Sequence, residues 1–405
     1  IGNDGFLPAH VLEGKTGIAD ITKVTKDSTA DLDKAAEFYT KGWAGLNDPA
    51  LTLSGGPFRI RSSDGRDTTV LERNPKYWAA KAGPSSVIIR TNTNAQSASQ
   101  QLQNKEVQVV DVQADGPTAI QLRGLSTVKV FAQGGQTYEH FDLNMSKPLF
   151  KDNPELRKAF ATCVDRKAIV DNLVKDIDPN AAPLGNFMFM PNEDGYEDHY
   201  TDIGKDDDSD IAAAKKLLED GGWTLGPDNV YTKNGTRAEF SIGWKTLDRR
   251  NSTWQLTAES CAKAGIKVNG QGQDNFNDDL LPASQFDVAL FAWVGGLTKS
   301  GSYGNYASKD KGGSANYNLY SNPKVDETYA AANSNLDFAA RVTQLNEVDK
   351  LMHDDMHSVP LFQLPDFAAF DATIGAVGAD GQMGDLSYVN FEGGPIWNAF
   401  AWQRR

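Results

Sequence analysis

Cysteine is scarce: two residues, Cys163 and Cys261, in a chain of 405. Two cysteines cannot make a disulfide framework, and with no CxxC and no Cys/His cluster there is no zinc-ligand spacing either. Cationic side chains are also in deficit. Lys and Arg number 40 against 54 Asp and Glu, a formal charge of −14. A chain so acidic lacks the clustered cations that neutralise a phosphate backbone, so nucleic acid is not an expected partner. Long apolar runs are missing too. The longest, Asp287 to Leu297, falls well short of the roughly 20 residues that cross a bilayer as a helix. Gly-x-Ser-x-Gly, the P-loop and a Gly-x-Gly-x-x-Gly between strand and helix are all absent. The expectation is therefore no enzyme, no catalytic residue and no cofactor.

What is present is an ordinary core composition. Hydrophobic residues make up 40%, aromatics 10% and charged residues 23%, which fits a folded chain of two or three domains. Residues 31–40 place Leu32, Ala35, Ala36 and Tyr39 on one helical face. From Ser54 to about Val130 the texture changes to short β-branched segments broken by Gly, Pro and Asn: 58–60, 69–71, 86–90 and 106–112. Helices dominate afterwards. Pro154 opens one, and Ser209 stands where an N-cap would precede the segment closed by Gly221-Gly222. Helical spacing recurs over 253–264 and 341–356, alternating with strands at 266–268, 287–291 and 358–362. This alternation over about 137–365 predicts an α/β domain. The strand-rich flanks, 51–136 and 366–405, would pair into one discontinuous sheet domain.

Several segments resemble, in order and spacing, the family-5 solute-binding proteins of ABC importers, the dipeptide-, oligopeptide- and nickel-binding type. Pro8-Ala-His-Val11 is similar to the family's PxHV element. Gly56-Pro-Phe58 followed by Leu71-Glu-Arg-Asn-Pro-Lys-Tyr-Trp78 resembles its most specific signature. Phe141 to Asn144, Pro148 to Asp152 and Leu156 to Val170 follow the family's next run, including the Asp165-Arg166 pair. Ala214 to Leu218 with Gly222-Trp223, then Gly265 to Val268, Tyr320 to Glu327 and Val359-Pro-Leu361 complete the series. The resemblance implies a periplasmic-binding-protein-like fold (type II, cluster C) of two lobes. The discontinuous sheet domain would be lobe 1, the α/β domain lobe 2, and residues 1–50 the remnant of a small middle domain. It also implies that the chain is the C-terminal part of a longer protein, tethered on the outer or periplasmic side of the membrane by a segment upstream. The implied partners are a peptide or other small solute, held between the lobes of a monomer, and the permease subunits of an importer. A receptor with no transport partner is the alternative reading.

The best ligand-site candidate is Trp293-Val-Gly-Gly-Leu-Thr-Lys-Ser-Gly-Ser-Tyr303. A Gly-rich loop with aromatics at the carboxyl end of a buried strand is where open α/β sheets bind ligands. Trp293, Val294, Gly295, Lys299 and Tyr303 are its named candidates, with Trp293 either a stacking face or a core residue and Lys299 either an anion contact or a solvated lysine. The peptide-binding relatives carry an aspartate in this loop for the ligand's amine. Here no carboxylate stands between Trp293 and Lys309, which favours a sugar, a modified peptide or another amine-free ligand. Tyr138, His140 and Asp142 alternate along a strand, so they either face the ligand together or are satisfied locally. His353 and His357 stand at i, i+4, but no glutamate follows the first and no third ligand is evident, so no metal is expected. Cys163 and Cys261 both fall within helices of one lobe. Either they form a disulfide or they are two small buried thiols.

Overall fold

The computed structural model describes residues 8–42, 53–91, 94–204, 208–296, 298–386 and 394–405. The chain divides into two compact units: Ile1–Val112, Leu125–Lys129 and Ala368–Arg405 in the first, Gln113–Gly124 and Val130–Phe367 in the second.

The first unit begins with α1 (Ala9–Thr16) and α2 (Thr29–Glu37). The apolar face expected on α2 is not covered: Leu32 is 40% and Tyr39 46% exposed. The α-helix ends at Glu37 and gives way to a wider π turn, Phe38–Gly42, so helical spacing fails before Tyr39. Three antiparallel strands follow, β1 (Phe58–Ser63), β2 (Thr68–Arg73) and β3 (Ser86–Arg90), with β3 at the edge of the sheet. Next come α3 (Ala95–Gln103), whose Asn94 cap accepts from the Ser97 N–H at 2.7 Å, and β4 (Val109–Asp111). A second small sheet takes the order β14-β13-β15, from β13 (Ile374–Val377), β14 (Met383–Gly384) and β15 (Trp402–Arg404).

The second unit contains α4 (Gly116–Arg123) and most of the long strand β5 (Val128–Leu143). Helices α5 (Pro148–Lys151), α6 (Pro154–Cys163) and α7 (Arg166–Leu173) lead to α8 (Asp208–Asp220), which contains Ser209 instead of starting after it. A small hairpin sheet, β6 (Thr224–Leu225), β7 (Tyr231–Lys233) and β8 (Thr236–Arg237), precedes β9 (Glu239–Trp244), α9 (Asp248–Lys263) and β10 (Lys267–Gly272). Then come β11 (Val288–Val294), α10 (Tyr303–Tyr306), α11 (Pro323–Ser334), α12 (Phe338–Asp355) and most of β12 (Ser358–Asp371).

The main sheet of this unit has the order β10-β9-β11-β5-β12. Strands β10, β9 and β11 are parallel, and β5 runs antiparallel to β11 with Val294 opposite Thr137. Val288 and Leu290 face the large core while Ala289 and Phe291 pack against Phe276, Leu281 and Phe286, so the first half of β11 is buried throughout instead of alternating. Rings of Phe150 and Phe160 meet Phe240 edge-on, each at 5.1 Å, in the core beneath α6. Gly243 of β9 is required by packing: a Cβ there would lie 2.4 Å from the Phe276 ring. The Cys163 and Cys261 sulfurs are bonded, joining α6 to α9 with their Cα atoms 4.9 Å apart.

Residues 184–203 have almost no regular structure, yet much of the segment is buried, so its backbone needs other partners. Arg166 supplies them. Its guanidinium donates to the carbonyls of Leu184, Pro360, Tyr200 and Ile203, and burial lowers its pKa to about 10. Asn186 accepts from the Met188 and Phe189 N–H groups, and Asp349 from that of Phe187. The segment meets the loop after β11 through Glu193, which pairs with Lys299.

Candidate functional site

Parallel strands end together. The carboxyl ends of β9, β10 and β11 therefore share one edge of the second unit's sheet, and the antiparallel β5 brings Thr137 to Glu139 to the same edge. Trp293 is half-buried there. Its ring stacks on Tyr317 (5.6 Å, 23°) and meets Phe291 edge-on at 5.1 Å, with the Lys309 ammonium 5.8 Å from the Tyr317 ring. Trp293 thus belongs to an aromatic platform that is rooted in the core and open at its outer end. Val294 beside it is 66% exposed.

The loop leaving Val294 is fastened at several points. Gly295 N–H donates to Gln136 O at 2.8 Å, and Tyr329 Oη donates to Lys299 O at 2.7 Å. Tyr303 packs edge-on against Tyr329 at 5.2 Å. Lys299 is not a solvated lysine. Its side chain is 12% exposed, and Nζ lies 2.7 and 2.6 Å from the two carboxylate oxygens of Glu193. Glu193 in turn accepts from Gln136 Nε2 at 3.2 Å and from the Met190 N–H at 2.7 Å. The loop is therefore nearly neutral, and Lys299 can meet an anion only by leaving a close partner. Leu297 lies outside the described residues.

Tyr138 and His140 share a face of β5, but that face is core. Both are 1% exposed and packed among Phe187, Tyr306 and Phe291, and the Tyr138 and Tyr306 hydroxyls are hydrogen-bonded. Burial raises the Tyr138 pKa far out of the physiological range. His140 Nε2 lies 3.5 Å from Asp142, which also accepts from Ser358. On the opposite face, Glu139 is 1% exposed and sits between Arg249 (3.0 Å) and Arg250 (3.1 Å) at the start of α9. Burial alone would raise its pKa, but Arg250 and Arg249 reverse this and hold the carboxylate charged.

The structure therefore brings Trp293, Val294, Gly295, Lys299 and Tyr303 together on one loop, with Tyr138 and His140 beneath as support. Sequence reasoning missed Glu193, Gln136, Tyr317 and Tyr329. Only Tyr317 carried a signal, as an aromatic a short distance after the loop. His353 and His357 do not share a site: His353 pairs with Asp202 at 3.0 Å, and His357, past the end of α12, stacks on Tyr320. Among the described residues, no three metal-ligating side chains come together, and no helix is long and apolar enough to cross a membrane.

This architecture is the fold of the periplasmic binding proteins. Similar solved structures include a periplasmic EDTA-binding protein, EppA (23% identity, TM-score 0.80, 98% of this chain and 69% of that one). Another is the oligopeptide-binding protein AppA of Bacillus subtilis in complex with a nonapeptide (20% identity, TM-score 0.69, 99% and 72%). The family described as bacterial extracellular solute-binding proteins, family 5 Middle, matches residues 14–315, and the chain belongs to it. Among curated relatives, the oligopeptide-binding protein OppA of Mycobacterium tuberculosis is 25% identical over 363 residues, covering 89% of this chain and 59% of its own length. A lipoprotein of the same organism is 26% identical over 381 residues, covering 88% and 62%. The chain thus spans about three-fifths of the curated relatives it matches.

Proposed function

We propose that the chain is the solute-binding part of an ABC importer, capturing a peptide-like solute outside the membrane and presenting it to a permease. The observation that carries this reading is the aromatic platform of Trp293 and Tyr317, set in a fastened loop at the carboxyl edge of the sheet in a chain of this family. Neither bond making nor bond breaking is involved. Ligand capture works by differential affinity, the bound form being the one a permease recognises. OppA and AppA bear oligopeptide-binding names, which supports a peptide. The lipoprotein name of another relative supports attachment through a lipid.

A second reading, an oligosaccharide in place of a peptide, is favoured by one feature. Lys299 already occupies Glu193, so the loop offers no carboxylate for a ligand amine, and the cation beside the platform is Lys309, over the Tyr317 ring. A stacked indole and phenol suit a sugar face as well as a side chain.

Native mass spectrometry of the gently purified protein, followed by titration with short peptides and oligosaccharides, separates the two. The class giving an adduct is the ligand class. Trp293→Ala should weaken that adduct by about tenfold or more, the loss of a large stacked contact. If the folded protein stays empty against both panels, or Trp293→Ala binds as tightly as the parent, the proposed site is wrong.

A further inference from the structure

Behind the 298–300 loop, the second unit holds a cavity of about 330 Å³. Four segments build it: the turn at Glu193 and Asp194, the loop itself, the end of α11 at Asn333, and the first turns of α12 from Phe338 to Leu345. The turn comes this close to α12 because Gly195, at φ +96°, has no side chain. A Cβ there would stand 2.7 Å from Val342 Cγ1. Asn346 Nδ2 then fixes the turn by donating to Gly195 O at 2.8 Å.

The chemistry of the lining is specific. Phe189, Val342 and Leu345 give an apolar wall, and Glu193 and Lys299 cancel each other's charge. Two charges are left over. Among the described residues the Asp194 carboxylate has no hydrogen-bond or ion-pair partner, and Arg341 has only the ring of Phe338, 5.5 Å from its guanidinium carbon. A ring neighbour takes up none of the guanidinium's N–H donors, which stay available for a carboxylate. One anion-binding fork, one cation-binding carboxylate and an apolar wall in a space of this size match a single molecule bearing all three features.

We propose that this cavity binds a free α-amino acid with an apolar side chain: its carboxylate on Arg341, its ammonium on Asp194, and its side chain against Phe189, Val342 and Leu345. It is a second site, separate from the Trp293 platform. Lys299 borders the cavity and also belongs to the loop after Trp293, so occupancy would bear on that loop.

L-Leucine is the probe, followed by calorimetry and by saturation-transfer NMR on the whole chain. Isoamylamine and 4-methylpentanoate, each lacking one of its charges, are the controls. Leucine should bind at one site, and each control should bind about tenfold more weakly or worse, as expected when a charge-assisted contact is lost. Arg341→Gln and Asp194→Asn should each weaken leucine to a similar extent, with Arg341→Lys in between because it keeps the charge and loses the fork. A thermal melt of each variant verifies folding. Absence of leucine binding overturns the proposal, as does leucine affinity unchanged in both variants. A loss confined to one variant overturns the zwitterion assignment. Neither probe nor variant involves Trp293, so failure here leaves the importer reading in place, and failure there leaves this one.

Discussion

His357 follows α12 where the chain turns into β12. Its ring stacks on Tyr320 at 3.7 Å, Nδ1 accepts from Asn318 at 3.0 Å, and Nε2 has no partner among the described residues. Burial lowers its pKa to about 4, whereas in the unfolded chain it titrates near 6.5. Between those values the unfolded state takes up a proton that the folded state refuses, so stability falls on acidification by on the order of 1 kcal/mol per pH unit. His353 has the opposite sign. Its hydrogen bond to Asp202 raises its pKa, so its contribution is complete below about 6.5 and is lost only as pH rises through the raised value. His357→Gln should therefore flatten the melting temperature between pH 6.5 and 4.5 relative to the parent; parallel curves would exclude this role. None of this was legible in the spacing of two histidines, because Tyr320 and Asn318 reach His357 only through the fold. The same holds for Lys299 and Glu193, 106 residues apart. The place of Trp293 at a strand end was legible because a strand end and its loop are adjacent in sequence.

Elements were easier to read than residues. Strands at 58–63, 68–73 and 86–90 and helices at 154–163, 248–263 and 338–355 lie close to where pattern put them, since periodicity is a local property. Sheet order was not legible. Nothing in the sequence shows that β9 stands between β10 and β11, because pairing is settled by packing across long intervals. The bond between α6 and α9 spans a sequence separation of 98. On loop-entropy grounds it contributes about 4 kcal/mol by restricting the unfolded chain. Reduction, or replacing both cysteines with serine, should lower the guanidinium midpoint accordingly; an unchanged midpoint would show that the unfolded chain is not constrained this way.

At the scale of the molecule, the chain passes from one unit to the other at 112/113, 124/125, 129/130 and 367/368. A change of texture suggested 136/137 and 365/366 for the two main crossings. The strands β5 and β12 run through 129/130 and 367/368, so no compositional break marks those crossings. The excursion of 113–124, which holds α4, left no trace in composition either. The units are unequally built. The second contains the large core around Phe141, Phe160 and Phe240, while a cluster of the first consists of Phe370, Ala376 and Leu386 with a few half-buried neighbours. Calorimetry should show two transitions, with the first unit melting at the lower temperature. A single transition with equal calorimetric and van't Hoff enthalpies would mean that the units unfold as one.

β3 lies at the border of its sheet, and Ile88 upon it is 60% exposed. A border of this kind offers a row of amide donors and acceptors to any extended chain that comes near, beside a greasy residue that rewards the approach. In concentrated solution the nearest such chain is another molecule of the same protein. The five residues of β3 are one such seam, and the strength of the interior does nothing to close it.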